Sequence, residues 1–255
     1  MHLIKSENKY YLVKNSNKNY LWNGDYIIDN GVLKWCNPNI YLQSTGTQYI
    51  NTGITADNNT TLILNYQIDS VRTISSNTRN HICGGSAGYT KMENFYATFW
   101  CSTETNTYYW LNTSNLGSGN TVGQFVDYTA RYRIELNGTN IDTKSYLYKN
   151  DVLIFNKTNV TGEITQTLPI SIFARTANNT ATNTFFIGKI YDCTIYKNNI
   201  KQQYLVPVHT DLQIGSFTVP SNGMFDIVNQ QFYANQGSGT FTYGKDIWFI
   251  CKNIV

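Results

Sequence analysis

Short runs of alternating apolar and polar residues, separated by turn-forming residues, occupy the first 38 positions of the chain. A period of two residues is typical of β-strands with one buried face, and Asn-Gly pairs favour tight hairpin turns. Turns are indicated at residues 15–17 and at Asn30-Gly31. Strands are therefore predicted, in two consecutive hairpins, at residues 9–14, 19–22, 25–28 and 32–35. Residues 1–38 are interpreted as a small β-meander that serves as an anchoring or assembly element.

The remaining segment, residues 39–255, alternates strand-like runs with turns up to its end and shows no amphipathic helix or long repeat. Many short antiparallel strands with frequent turn signals indicate a sandwich or a barrel. Further hairpin tips are predicted at Asn137-Gly138, Asn150-Asp151 and Asn198-Asn199. Because isolated hairpins cannot bury their own apolar face, we expect the meander to pack on this segment, on a sister subunit or on a docking partner.

The composition narrows the choice of partners. Of 255 residues, 14% are charged and 15% aromatic, and the formal net charge is +3. Nucleic-acid or membrane attraction needs clustered Lys and Arg, so we expect no nucleic-acid partner and an uncharged ligand. The five Cys residues are widely spaced without a C-x-x-C pair, which favours buried free thiols over a disulfide framework or a zinc site.

The start of the chain lacks the apolar core of a secretion signal, and no apolar run is long enough to cross a bilayer. We therefore expect no signal peptide and no membrane insertion. The product would be released in the cytosol or leave the cell by another route.

Four stretches of the sequence occur in a recognisable order: residues 41–53 (YLQSTGTQYINTG), 170–175 (ISIFAR), 187–196 followed by 204–208 (IGKIYDCTIY and YLVPV), and 223–233 with 237–241 (GMFDIVNQQFY and GSGTF). They resemble the concanavalin A-like lectin/glucanase superfamily, in the laminin-G-like form found in phage and bacterial surface proteins. The resemblance implies an all-β, two-sheet antiparallel jelly-roll sandwich of about a dozen strands. It brings no defined activity, because this fold hosts lectins, glycosidases, adhesins and structural modules.

Local alternation agrees with this fold. Within residues 191–195, Tyr191, Cys193 and Ile195 are predicted to share the buried face, and Asp192 and Thr194 the opposite one. Cys193 is then expected to be a core thiol.

Catalysis is not expected. Glucanases of this fold carry paired acidic residues on one strand, because hydrolysis needs an acid and a nucleophile at the same glycosidic bond. No such pair accompanies Glu93, Glu104, Glu135 or Glu163. Two carboxylates from different strands could still meet, so a glycoside hydrolase is kept as the third hypothesis.

Residues 84–88 (GGSAG) match the G-x-S-x-G nucleophile elbow, with His81 and His209 available as bases. The elbow requires a strand before the motif and a helix after it. Residues 93–99 instead alternate like a strand, so we interpret the motif as a glycine-rich turn between strands.

No cofactor is expected, although a structural calcium ion is an open alternative. Calcium in related sandwiches is held by scattered oxygens without fixed spacing. Asp57-Asn58-Asn59 and residues 112–120 could supply such oxygens, but ordinary polar turns explain both.

An aromatic hairpin, formed by residues 95–100 and 108–112, is the predicted ligand site. One face, expected to be core, carries Phe95, Ala97, Phe99, Tyr109 and Leu111. The ligand-binding residues predicted on the other face are Tyr96, Trp100, Tyr108, Trp110 and Asn112. Rings beside amide side chains suit sugars, since rings pack on C–H faces and amides bond hydroxyls. The alternative is that the meander or a neighbouring subunit covers this face.

The leading hypothesis is a non-enzymatic, lectin-like adhesion or receptor-binding module on a phage particle, in a fibre or a virion decoration. It would bind a glycan or cell-surface receptor, contact other virion proteins and form a homo-oligomer at the virion or extracellular surface. The second hypothesis is a structural virion or cell-surface protein that contacts only other proteins.

Overall fold

The computed structural model describes, with side chains, residues 25–71, 79–85, 95–99, 125–158, 163–164, 166–176 and 185–246, together with Cys101, Thr107, Tyr109 and Leu111. It describes the backbone alone of residues 2–6, 9–14, 18–22, 86, 94, 100, 102–103, 106, 108, 110, 112–113, 120–121, 177 and 180–181. This part of the chain is all-β, as predicted. None of it forms a helix long and apolar enough to span a membrane.

The N-terminal sheet is an antiparallel meander whose strands pair in sequence order. Its strands are β1 (His2–Ser6), β2 (Lys9–Lys14), β3 (Lys18–Trp22), β4 (Tyr26–Asp29) and β5 (Val32–Cys36). The predicted meander is confirmed, and β1 is an additional strand. Asn30 and Gly31 both have positive φ, 49° and 79°, as a two-residue hairpin turn requires.

The large sheet has ten strands: β6 (Ile40–Thr45), β8 (Thr60–Ile68), β13 (Tyr132–Asn137), β14 (Lys144–Lys149), β15 (Val152–Thr158), β19 (Ile187–Lys197), β20 (Ile200–Val208), β23 (Gly223–Asp226), β24 (Gln231–Tyr233) and β25 (Thr242–Lys245). Their order is β15-β14-β13-β8-β19-β20-β23-β24, with β6 pairing both β19 and β25. All these pairings are antiparallel.

The smaller sheet has eight strands: β7 (Ile50–Thr55), β9 (Asn80–Ser86), β10 (Asn94–Thr103), β11 (Asn106–Thr113), β12 (Asn120–Thr121), β16 (Pro169–Ile172), β17 (Thr176–Ala177) and β18 (Thr180–Ala181). Its main path runs β12-β11-β10-β9-β16-β7, so β7 is an edge strand. A separate two-stranded hairpin consists of β21 (Gln213–Ile214) and β22 (Phe217–Thr218).

The main core fills the space between the large and the smaller sheet. Leu62, Leu64 and Tyr66 alternate along β8 toward it, and Phe95 and Phe99 reach it from β10. Period-two alternation on both sheets supplies the interdigitating side chains of a β-sandwich. The jelly-roll sandwich predicted from the sequence is therefore confirmed.

A second core lies between the meander and the opposite side of the large sheet. Its buried members are Tyr26, Ile28, Leu33, Cys36, Ile40, Val206, Val208, Leu212, Ile214, Val219 and Phe225. Strands β4 and β5 thus pack on β20 and β23 of the same chain. Of the three expected arrangements, the meander therefore adopts packing on residues 39–255.

Two of the predicted hairpin tips are confirmed, and the third hairpin, formed by β13 and β14, has its turn at residues 138–142. Asn150-Asp151 and Asn198-Asn199 have φ between 48° and 64°. Asn137 instead ends β13, and a Cβ on Gly138 would lie 2.3 Å from the Asn58 carbonyl oxygen. The glycine at 138 permits close approach of two backbones.

Candidate functional site

A polar pocket of about 530 Å³ opens on the outer face of the large sheet, away from the main core. Gln67 reaches it from β8 because its neighbours Tyr66 and Ile68 point into the core. We call this site the outer-face pocket. Its lining residues are Asn39, Gln67, Thr129, Arg131, Asn150, Lys189, Tyr191 and Asp246.

A β-bulge in β19 directs Tyr191 into the pocket. The register of β19 against β8 shifts between Ile190 and Asp192. Ile190 and Cys193 are buried in the main core, so both intervening residues face outward. The prediction that Tyr191 shares the face of Cys193 and Ile195 is therefore wrong, whereas Cys193 is the core thiol that was expected.

Hydrogen bonds fix the Tyr191 hydroxyl. It lies 2.8 Å from Gln67 Oε1 and within hydrogen-bonding distance of the Asp246 carboxylate, and it donates its one proton to one of them. Gln67 Nε2 donates to the Tyr128 carbonyl oxygen at 2.6 Å, which fixes the orientation of the amide. Burial and the Asp246 carboxylate raise the pKa of Tyr191, so the hydroxyl stays protonated.

Arg131 organises the opposite wall. Its guanidinium carbon lies 3.6 Å from the Tyr191 ring centroid, a cation–π contact. The guanidinium also donates to the Pro38 carbonyl oxygen and, at 3.5 Å, to Asn39 Oδ1. The backbone N–H of Arg131 donates to Asn150 Oδ1 at 3.0 Å.

The two asparagines consequently present hydrogen-bond donors. Asn39 and Asn150 each use the amide oxygen to accept from Arg131, so their NH₂ groups point away from it. Within the described part of the chain, no residue accepts a hydrogen bond from either NH₂ group. Both groups are available to a ligand.

The pocket holds two cations and one carboxylate among its described lining residues. Lys189 Nζ lies 3.2 Å from Asp246 Oδ1 and 4.4 Å from the Tyr41 ring centroid. Arg131 bonds neutral oxygens. Nearby, burial raises the pKa of Asp192, although the Asn65 amide and the Arg131 charge lower it. The pocket thus offers fixed donors and a positive charge to a polar ligand.

The predicted aromatic face is described in part. The hairpin pairs Tyr96 with Asn112, Thr98 with Trp110 and Trp100 with Tyr108 across β10 and β11. On the other face Phe95, Ala97, Phe99, Tyr109 and Leu111 are buried in the main core, as predicted. The side chains of Trp100, Tyr108, Trp110 and Asn112 lie outside the described residues.

Tyr96, the fifth predicted ligand residue, is 0% exposed. Its ring contacts His81 at a centroid distance of 6.0 Å, and the Arg175 guanidinium carbon lies 4.8 Å from its centroid. Thr98 is buried as well and donates to the Asn80 carbonyl oxygen at 2.9 Å. The ring of Tyr96 therefore offers no exposed stacking surface.

The G-x-S-x-G motif begins inside a strand, which corrects the predicted glycine-rich turn. Gly84 to Ser86 belong to β9, between β10 and β16, and a Cβ on Gly84 would lie 2.3 Å from Tyr96. Glycine therefore serves close strand packing here. Burial and two arginine charges lower the pKa of His81, and His209 packs instead on Tyr243 at 5.1 Å. Residues 87–88 lie outside the described part.

The Asp57-Asn58-Asn59 segment is a polar turn. Asp57 Oδ1 accepts hydrogen bonds from the Asn59 backbone N–H at 3.0 Å and the Thr60 hydroxyl at 2.8 Å. Asp57 Oδ2 lies 2.9 Å from Lys197 Nζ. Burial would raise the pKa of Asp57, but these hydrogen bonds lower it. The described residues contain no group of three His, Cys, Asp or Glu side chains suited to a metal, and residues 114–119 lie outside them.

Comparison with protein-family models and with curated proteins finds no match. Among solved structures, the native heptameric SAP-like pentraxin of Limulus polyphemus aligns with a TM-score of 0.50 and 10% identity, over 84% of this chain and 98% of that one. A candidate carbohydrate-binding protein of Bacteroides ovatus aligns with a TM-score of 0.49 and 12% identity, over 81% and 60%. The CBM40 of the Ruminococcus gnavus IT-sialidase, bound to α2,3-sialyllactose, aligns with a TM-score of 0.43 and 12% identity, over 61% and 89%. The pentraxin alignment supports the jelly-roll sandwich fold.

Sequence reasoning missed the outer-face pocket. Its residues come from two strands and from turns far apart in sequence, and no period along the chain shows that they meet. The one available signal was the interruption of apolar alternation by Tyr191-Asp192, directly before Cys193.

Proposed function

We propose that this protein is a non-enzymatic, lectin-like module that binds a glycan bearing an acidic group in the outer-face pocket. The observation that carries the proposal is the fixed set of donors around one cavity, namely the NH₂ groups of Asn39 and Asn150 and the Lys189 ammonium. Convergent polar groups in a preformed cleft are typical of small-ligand sites. A sugar offers hydroxyls to these donors and to the Asp246 carboxylate.

The positive charge favours the acidic class. Arg131 and Lys189 line the pocket together with one carboxylate, that of Asp246. The overall composition favours an uncharged partner, but a ligand experiences the local charge rather than the average. Such binding should weaken as salt is added, because partly exposed charges are screened.

A glycan array comparing the wild type with two matched variants tests the proposal. Lys189 and Lys197 lie on the same strand, and each pairs with an aspartate, at 3.2 Å and 2.9 Å. Lys189→Met should weaken binding to acidic glycans about tenfold, the effect of losing roughly one charge-assisted hydrogen bond, whereas Lys197→Met should leave it unchanged. Equal effects of both variants, or no bound glycan, would refute the proposal.

The aromatic face of β10 and β11 is the sequence-based alternative site. Trp100, Tyr108, Trp110 and Asn112 are proposed to stack on and bond a neutral glycan. Trp110→Ala should then weaken binding that Lys189→Met leaves intact. The same array therefore separates the two sites.

The absence of catalysis is also part of the proposal, and it rests on the sequence. No strand combines two acidic residues at the spacing that glucanases of this fold use. Incubation with uronic-acid polysaccharides and β-glucans should release no new reducing ends. Turnover that a Glu135→Gln change abolishes would show the opposite.

We further propose that the module acts as a homo-oligomeric receptor-binding part of a phage fibre or virion decoration. The resemblance to surface proteins of phages and bacteria supports this setting. Multivalency would compensate for weak single-site binding. Light scattering of the purified chain should then give a mass that is a multiple of 29.1 kDa.

A structural role through protein contacts alone is the second candidate. Trp35 is 41% exposed and Phe217 is 40% exposed. Phe217 packs against Phe225 and Phe232 beside an apolar pocket of about 440 Å³. Exposed aromatic residues are enriched at protein interfaces. Loss of oligomers in Trp35→Ser without any glycan binding by the wild type would favour this candidate.

A further inference from the structure

A second cavity, shallow and open to solvent, with a volume of about 540 Å³, lies where the edges of the two sandwich sheets meet. Strand β7 is the edge of the smaller sheet, and β24 ends the path of the large sheet. We call this cavity the amide groove. Its lining residues are Asn51, Thr52, Gly53, Ile54, Gln203, Gln231, Tyr233 and Gln236.

The amide groove differs from the outer-face pocket in charge. None of its described lining residues is ionisable at neutral pH, since Tyr233 keeps its proton: burial raises the pKa of that hydroxyl. Four of the lining side chains are primary amides. An amide both donates and accepts hydrogen bonds, and a sugar hydroxyl does the same.

Gln203 forms the floor of the groove and has an unused acceptor. The residue is 4% exposed. Its Nε2 donates to the Thr52 carbonyl oxygen at 2.9 Å and to the Tyr233 hydroxyl at 2.7 Å. No residue in the described part of the chain donates a hydrogen bond to its Oε1, which is buried. A buried acceptor without a donor is uncommon in folded proteins and points to a ligand or a water that supplies the donor.

Apolar surface lies beside these amides. Ile54 and Tyr233 are partly buried and pack against the main core from the groove wall. Packing holds the Tyr233 ring in place, and its hydroxyl also lies 3.4 Å from Gln231 Oε1. A held ring next to hydrogen-bonding amides matches the C–H face and the hydroxyls of a sugar.

An extended peptide fits less well, because the donors on the β7 edge are already used. The Gly53 backbone N–H donates to Asn51 Oδ1 at 2.8 Å, and the Ile54 N–H donates to Thr52 Oγ1 at 3.2 Å. Gly53 has φ +75°, which interrupts the extended conformation that strand addition needs. Side-chain capping and an irregular edge both oppose pairing with another strand.

We infer that the amide groove is a second carbohydrate site, selective for uncharged oligosaccharides. It is separate from the outer-face pocket and does not depend on that pocket binding a glycan. The Gln203 carbonyl accepts a hydrogen bond from a sugar hydroxyl, the exposed amides of Asn51 and Gln231 bond the rim hydroxyls, and Tyr233 packs on the sugar ring.

Titration calorimetry of the full chain with neutral oligosaccharides tests the inference, using cello-, malto-, xylo-, manno- and chito-oligosaccharides at millimolar concentration. At least one should bind, with an affinity that changes less than twofold between 50 mM and 500 mM salt. Gln231→Ala, on the exposed rim, should weaken that binding fivefold or more. Gln202→Ala is the matched control, because Gln202 neighbours Gln203 in sequence and does not line the groove.

Two further variants distinguish failure of this inference from failure of the proposed function. Gln203→Met removes the unused acceptor and should abolish binding, with its melting temperature recorded alongside. Lys189→Met should leave neutral-sugar binding intact even where it removes acidic-glycan binding. The inference is overturned if no neutral oligosaccharide binds, if Gln231→Ala binds like the wild type, or if an extended peptide competes for the groove.

Discussion

The two cores of this protein are closed in different ways. The main core lies between two sheets, and its residues, such as Leu64 and Phe99, are joined through continuous strand pairing on both sides. The second core is covered by the meander, and polar side chains hold that cover in place. The hydrophobic effect is non-directional, and it is sufficient to hold the two sheets of the sandwich together. A sheet that docks on another sheet also needs hydrogen bonds, which are directional, to fix its position.

Hydrogen bonds and one ion pair fix the meander on the large sheet. The Gln230 amide accepts from the Leu33 N–H at 2.9 Å and donates to the Leu33 carbonyl oxygen at 3.0 Å, as a neighbouring strand would. The Tyr26 hydroxyl lies 3.2 Å from the Pro207 carbonyl oxygen, and Lys245 Nζ lies 2.5 Å from Asp25 Oδ1. The meander is thus anchored at its β4–β5 end.

The largest expected effect comes from removing that cover. Deleting residues 1–37 uncovers Ile40, Val206, Val208 and Phe225, each worth about 1.5–3 kcal/mol of burial, so the remaining sandwich should associate through this face. Deleting residues 1–24 leaves β4 and β5 in place and should give a chain with the oligomeric state of the full protein. Size-exclusion chromatography with light scattering measures both.

If the chain without residues 1–37 keeps the oligomeric state of the full protein, the cover over the second core is dispensable. Failure of both deletions to fold would show instead that β1 to β3 belong to the cooperative unit.

A smaller effect is expected from Gln230→Asn. Asparagine tolerates the positive φ of 55° at this position but is too short to reach Leu33. Loss of two hydrogen bonds to a part-buried backbone should cost about 1–3 kcal/mol, and only in the docking of the meander. Hydrogen exchange measured by mass spectrometry should show faster exchange in residues 32–36 and unchanged exchange in β8.

Gln213→Asn, at an exposed position, is the control for that measurement. Faster exchange throughout β8 in Gln230→Asn would mean that the two cores unfold together, which would remove the distinction drawn here.

The smallest expected effect is a loss of stability of the sandwich in acid. Hydrogen bonds from Thr129 and the Lys149 ammonium, 2.9 Å away, lower the pKa of Asp127 to about 2. An unfolded aspartate titrates near pH 3.9, so this stabilisation is complete above about pH 4 and is lost as the pH falls toward 2. The pair is partly exposed to solvent, and its contribution should stay below about 1 kcal/mol.

Urea unfolding of the wild type and of Asp127→Asn at pH 6 and pH 2.5 measures that contribution. The difference between the two chains should shrink at the lower pH. A difference that is the same at both values would show that Asp127 does not titrate with a lowered pKa.

Much of the fold could be predicted because its signals are local. Alternation identified the meander strands, and Asn30-Gly31 and Asn150-Asp151 identified turns whose residues adopt positive φ. The core face of the β10–β11 hairpin followed from the same period of two. Gly138 was placed at the tip of the β13–β14 hairpin but begins its turn, where the missing Cβ also permits close approach of the Asn58 backbone.

The candidate sites could not be predicted in the same way. The outer-face pocket depends on a bulge and on loops that the fold brings together, and the amide groove depends on two sheet edges that meet only in the sandwich. Burial of Tyr96 by Arg175 and His81 is likewise a tertiary effect. Periodicity specifies which face a residue occupies, but not what covers that face.

The bulge at residues 190–192 also limits how the gene for this chain can vary in length. Losing the codon for Tyr191, the extra residue in the register against β8, would restore regular alternation and leave Ile190, Cys193 and Ile195 in the core. The pocket would lose the Tyr191 ring. A codon lost elsewhere in β19 would move every later side chain of the strand to the other face. Insertions and deletions should therefore be confined to the bulge and to turns such as Asn198-Asn199, whereas substitutions can alter the ligand gradually.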